Sequence, residues 1–285
     1  MGGPGRPRHR VVDIGGGGRV IAAREHARHR PHPHELIHRG RRPVPRHLIQ
    51  IGGGSDRTDL RAPGHQIRQH CRRHHTAAEH PWFVDSRSGR DGPRADWYVW
   101  ADAKPDGSPP NNWQSWMGGP AWRWEPRRRQ YHLHNFLPQM PDLNFHCTAV
   151  QDAILDIARF WLDRGVDGFR LDTANLYFHD RLLRDNPPLP PEQAGDAPVL
   201  MQRHLHNADQ PETPAFLERL RALMDAYGHG ERMAVGEIGG AEPLATMQAY
   251  TVGERRLHSA YSFDFLGPRP DAAQLAARLR PWRND

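Results

Sequence analysis

Between residues 148 and 164 the apolar side chains Val150, Ile154, Ile157, Ala158, Trp161 and Leu162 recur every three or four positions. That spacing lays them along one face of a helix, with Thr148 as candidate N-cap and Gly165 as the stop. A short apolar run, Val166 to Leu171, follows and predicts a buried strand. Residues 185–214 are rich in proline and predict a long loop. Phe216, Leu217, Leu220, Leu223, Met224 and Tyr227 mark a second amphipathic helix that ends near Gly228. Met233 to Gly236 predicts the next strand, with Glu237 at its end, and Ala260 to Phe265 a third that ends near Asp264. Helix, strand, loop, helix, strand is the rhythm of a parallel α/β sheet. A doubly wound sheet shares it, but no glycine-rich phosphate loop follows any of these strands.

Upstream the pattern changes twice. Residues 80–146 interleave Trp, Pro, Gly and Asn, as in His80-Pro81-Trp82-Phe83 and Pro109-Pro110-Asn111-Asn112-Trp113. They predict a small module of loops and strands whose aromatics are mostly core. Residues 1–75 hold no Phe, Trp or Tyr, 11 of the 20 histidines, and 16 arginines against five acids. Short apolar runs occur there, at Val11-Val12 and Leu48-Ile49-Gln50-Ile51, but no amphipathic period persists, so the segment is expected to be irregular.

Three readings of that segment compete: a basic arm for a polyanion, a histidine-rich metal tract, and translation out of frame. The third is preferred. Arg, Gly, Pro, Ala and His without Lys are what GC-rich codons yield when misread, and the chain has one lysine, Lys104. A nucleic-acid partner is therefore not expected. Cys71 and Cys147 are too few for a disulfide framework. No apolar run approaches a membrane span and no secretory core is present, so a cytoplasmic protein is expected.

The chemistry lies at the strand ends. In Gly168-Phe169-Arg170-Leu171-Asp172-Thr173, alternation along a strand puts Arg170 and Asp172 on one side. A guanidinium there would hold the carboxylate ionised, as a carboxylate nucleophile needs. In a β/α barrel the C-terminal strand ends carry the site, so Asp172 and Glu237 would converge on one pocket. Glu237 has no arginine nearby in sequence and is flanked by Ala234, Val235 and Ile238, so burial is expected to raise its pKa. One ionised and one protonated carboxyl group suit glycoside hydrolysis. Two ordinary strand-end acids would look the same.

Residues 75–267 resemble glycoside hydrolase family 13, the α-amylase family, and especially its α-glucosidase and oligo-1,6-glucosidase branch. The likeness rests on several motifs. Gly168 to Asn175 resembles the nucleophile motif, and Ala234-Val235-Gly236-Glu237 the acid/base motif. Met140-Pro141-Asp142-Leu143-Asn144 is similar to the branch's Gln-Pro-Asp-Leu-Asn. His74-His75-Thr76, ahead of His80-Pro81-Trp82-Phe83, resembles the end of the motif whose histidine contacts the sugar. The resemblance implies a partial (β/α)8 TIM barrel over 148–285, with residues 76–147 like the inserted domain B. It implies Asp172 as nucleophile, Glu237 as general acid/base, Arg170 as partner of Asp172, and His75 and Phe136 as sugar contacts. Thr173, after the nucleophile, implies α-1,4 preference, hence maltose-like disaccharides or oligosaccharides and glucose release with retention. A transglucosylase or sucrose isomerase, or a non-catalytic remnant with a polyanion-binding arm, are the alternatives. No cofactor and no metal are expected, because the family's Asp-rich metal loop has no counterpart; oligomeric state is open.

The resemblance also has gaps. His70 stands five positions before His75, where an aspartate is expected, and no Asn-His-Asp motif with the third catalytic acid precedes Asp285. The chain is therefore expected to be an incomplete form with little or no activity by itself.

Overall fold

The computed structural model describes residues 74–227, 232–240 and 242–263, together with 10–11, 47–51, 272, 273, 276 and 280. In chain order the elements are β1 (Arg10–Val11), β2 (His47–Ile51), α1 (Pro81–Ser86), β3 (Trp100–Ala101), β4 (Trp122–Glu125) and β5 (Gln130–Leu133). They continue with α2 (Thr148–Leu162), β6 (Gly168–Leu171), α3 (Thr213–Asp225), β7 (Met233–Ile238), α4 (Pro243–Thr251) and β8 (Ser259–Ser262). Short 3-10 turns lie at Ala174–Leu176 and Pro198–Met201.

The principal sheet is parallel throughout, in the order β1-β2-β6-β7-β8. Here β2, the Leu48–Ile51 apolar run, pairs its backbone with all of β6, from Leu48↔Gly168 to Ile51↔Leu171. In these two stretches the first 75 residues depart from the irregular expectation. A run too short to carry a detectable period can still complete a backbone ladder when a neighbouring strand supplies the partners. The other residues before His74 lie outside the described residues, as do Asp264 and Phe265 of the third predicted strand. Among the described residues no helix is long and apolar enough to cross a membrane.

The helices stand where the periodicity predicts them. In α2, Val150, Ile154, Ala158, Trp161 and Leu162 are buried against Phe216, Leu217, Leu220 and Met224 of α3 and against Phe169 and Leu171 of β6. Gly165 ends α2 with a φ of 83°, and its N–H donates to the Leu162 carbonyl at 3.0 Å. The start is shifted: Cys147 is the N-cap and makes no side-chain cap bond, while Thr148 is the first helical residue. The β3-β5-β4 sheet is antiparallel and holds its own small core of Val99, Ala101, Trp113, Ala121, Trp122 and Leu133. Trp82, Phe83, Tyr98, Leu143 and Phe145 instead join the core of α2 and β6.

The 183–207 loop is tied to the turn at Asn111 and Asn112 by side-chain amides. Asn112 donates to the Asn186 carbonyl and accepts from its N–H, at 2.8 Å each. Asn111 donates to the Leu183 carbonyl and Gln202 to the Asn112 carbonyl. Asn186 also donates to the Asn207 side chain. An irregular loop of this length is thereby given fixed partners for backbone groups that no ladder satisfies.

Candidate active site

Parallel pairing of β6 and β7 runs to Leu171↔Gly236, so the next residues, Asp172 and Glu237, leave neighbouring strands side by side. Both are 5% exposed. The Arg170 guanidinium donates to Asp172 through one terminal nitrogen and to Glu237 through the other. Its Nε donates to the Tyr261 hydroxyl at 2.8 Å, and Tyr261 pairs with Glu237 across the β7–β8 ladder. Burial opposes the charge on Arg170, but Asp172 and Tyr261 more than offset it and hold its pKa above the ordinary value. The Asp172 partnership is as the sequence predicts. Glu237 also has an arginine, contrary to expectation. Sequence distance hid it: the register sets Arg170 opposite Val235, and a long side chain pointing up the sheet reaches either strand end. The asymmetry between the two carboxyl groups therefore does not lie in which of them has a cationic partner.

Above the pair is a cavity of about 790 Å³. Asp172, Thr173, Asn175, Phe136 and Glu237 line it, and Trp116, Leu189, Glu192, Leu200 and His204 are among its other walls. Trp116 stacks on His204, with ring centroids 4.9 Å apart. Among the described residues that line it there is no Arg or Lys, whereas three are acidic. Of the predicted site residues, Asp172, Glu237, Thr173 and Phe136 meet here, and Arg170 lies beneath.

His75 is fully buried, is not among the lining residues, and has its ring 6.2 Å from that of Phe136. Its neighbour His74 makes the connection the sequence did not single out. His74 Nδ1 lies 3.0 Å from the Thr173 hydroxyl, and its Nε2 lies 3.2 Å from Asp142. Asp142 also accepts the Asn135 N–H and side-chain amide, which fixes the turn that presents Phe136. Tyr177 packs behind His74 with its pKa raised by burial and then by the Asp172 charge. Among the described residues no group of three His, Cys, Asp or Glu is placed to hold a metal ion.

Tyr261, Asn175, Trp116 and His204 were missed by sequence reasoning. Asn175 stood inside the nucleophile motif, and that was its available signal. The other three depend on contacts between distant segments.

The α-amylase catalytic-domain profile matches residues 73–279. A probable α-glucosidase of Rhizobium meliloti is 54% identical over 212 residues, which cover 72% of this chain and 38% of that protein. Among solved structures, the α-glucosyl transfer enzyme XgtA has 52% identity and a TM-score of 0.70, over 73% of this chain and 39% of its own. Trehalose-6-phosphate hydrolase of Bacillus licheniformis has 28% identity and a TM-score of 0.61, over 78% of this chain and 34% of its own. The chain thus spans between a third and two fifths of the length of each.

Proposed function

The chain belongs to the α-amylase family, and from that premise we propose that the protein cleaves α-glucosides by a retaining double displacement. The observation that carries the reading is the pair of neighbouring strand-end carboxylates on one guanidinium. Two carboxyl groups within reach of a single fork suit the close spacing of retaining glycosidases, about 5–5.5 Å, better than the wider gap of inverting ones. The Asp172 carboxylate attacks the anomeric carbon while Glu237 gives its proton to the leaving oxygen, and a glucosyl ester forms on Asp172. Glu237 then takes a proton from water, which displaces Asp172 and frees glucose. As the acid, Glu237 can carry its proton on the carboxyl oxygen that Arg170 does not hold.

Among the described lining residues there is no Arg or Lys to pair with a phosphate, which favours neutral glucosides over phosphorylated ones. Thr173 after the nucleophile favours α-1,4 linkage, and Phe136 is assigned a place against the glucosyl ring. His75 keeps the role its motif implies only if the wall at Phe136 gives way, because it lies outside the lining. Residues 76–147 act as the domain B module.

The test is turnover of p-nitrophenyl α-glucoside by this chain, however slow, beside Asp172→Asn and Glu237→Gln. A loss on the order of a thousandfold in the Asp172 variant is expected; equal rates in wild type and variant would contradict the reading. A second reading, transfer of glucose to another hydroxyl in place of water, is favoured by the 52% identity to an α-glucosyl transfer enzyme. Product analysis with maltose separates the two: free glucose alone marks hydrolysis, new oligosaccharides mark transfer.

A further inference from the structure

Asn175 follows the nucleophile by three residues, is 2% exposed, and lies in the three-residue turn Ala174–Leu176. Its side chain does not cap that turn. It reaches 64 residues along the chain to Gly239, the second residue after Glu237. Asn175 Nδ2 donates to the Gly239 carbonyl at 3.0 Å, and the Gly239 N–H donates to Asn175 Oδ1 at 3.3 Å. A side-chain amide that takes both backbone groups of one residue does what a neighbouring strand would do. The β6–β7 ladder stops at Leu171↔Gly236, so the amide resumes the pairing beyond Glu237. Glu237 is thereby held on both sides, by the ladder before it and the amide after it, with β8 along its other edge.

The clamp is itself held. The Asp209 N–H donates to the Asn175 carbonyl at 2.8 Å, and the Asp209 carboxyl group accepts from the Thr246 hydroxyl at 3.1 Å. Gly240 closes over it with a φ of 111°, and a Cβ there would lie 3.4 Å from Asp209 Oδ2 and 3.7 Å from Asn175 Nδ2. Thr173, between the nucleophile and the clamp, has a φ of 39°. A β-branched residue takes that left-handed backbone only where its surroundings impose it. Asn175, Gly239 and Gly240 all line the cavity, so the fixed backbone is the floor on which substrate would rest.

We propose that Asn175 is the positioning residue for Glu237, its amide fixing Gly239 and so the angle at which the acid faces the bond to be cleaved. The proposal rests on the glycosidase reading, since it assigns Asn175 to the acid rather than to the nucleophile. A residue that aims only the acid has a distinctive signature, because proton donation matters most for poor leaving groups.

In Asn175→Ala, turnover of methyl α-glucoside should fall roughly a hundredfold further than turnover of p-nitrophenyl α-glucoside. Equal losses on both, as general loosening of the fold would give, overturn the assignment while leaving the glycosidase reading intact. Hydrogen exchange supplies a measurement that needs no activity. The Gly239 amide should exchange roughly tenfold or more faster in Asn175→Ala, whereas amides of β6 and α2 should not change. An unchanged Gly239 rate overturns the clamp. Absence of wild-type turnover on both glucosides is what an incomplete form of the enzyme would give, and exchange at Gly239 then decides for or against the clamp.

Discussion

Arg170 turns its terminal nitrogens to two carboxylates and its Nε to the Tyr261 hydroxyl, so each nitrogen of one planar group has a separate task. Lysine offers one point charge on a flexible stem and cannot hold that geometry. Arg170→Lys should therefore lower kcat for p-nitrophenyl α-glucoside on the order of a hundredfold, the cost of a carboxylate displaced by about an ångström. Rates within a factor of two or three of wild type would show that charge alone suffices. At this scale the sequence was readable only in part. Arg170 and Asp172 lie two residues apart on one strand, and strand alternation alone makes them neighbours. The share taken by Glu237 depends on the register between β6 and β7, which local pattern does not encode. For the same reason His74 rather than His75 proved to be the histidine bonded to Thr173: adjacent residues of one type differ only in the direction a fold gives them.

At the scale of elements, length of period decided what could be foreseen. α2 and α3 repeat their apolar positions over several turns, and their buried faces match those positions, with Ile157, Leu223 and Tyr227 at the half-buried edge. The cap of α2 lies one residue before the one expected, at Cys147, which makes no side-chain cap bond. β2 has five residues and no period to detect, yet Leu48 to Ile51 pair with the whole of β6. The loop expected over 185–214 holds a 3-10 turn at Pro198–Met201 and gives way to α3 at Thr213, and its ties to Asn111 and Asn112, some 70 residues upstream, were not legible. Proline content marks where a loop is; only the amide contacts say what holds it.

At the scale of the whole molecule, buried imidazoles among the described residues weaken the fold in acid. Burial depresses the pKa of His132 and of His179 to about 3, and lowers those of His134, His146 and His258 as well. Unfolding returns each to about 6.5. Between those values the unfolded chain binds more protons than the native one, so stability rises with pH and is lost as pH falls from 6.5 toward 3. Asp209, raised by burial, works in the opposite sense just above the ordinary aspartate range, but among the described residues it stands against five imidazoles. The urea midpoint should thus be lower at pH 5 than at pH 7; an equal or higher midpoint at pH 5 would contradict this. The family membership itself was legible from short motifs, since these are local and each contains the residues that do chemistry. The central claim is that Asp172 is the nucleophile. Its most direct measurement is to incubate the chain with a glucosyl fluoride whose added ring fluorine slows hydrolysis of the ester, then map the labelled peptide by mass spectrometry. One glucosyl adduct is expected, on Asp172 and absent from Asp172→Asn. An adduct on another residue, or an Asp172→Asn variant labelled like wild type, would contradict it.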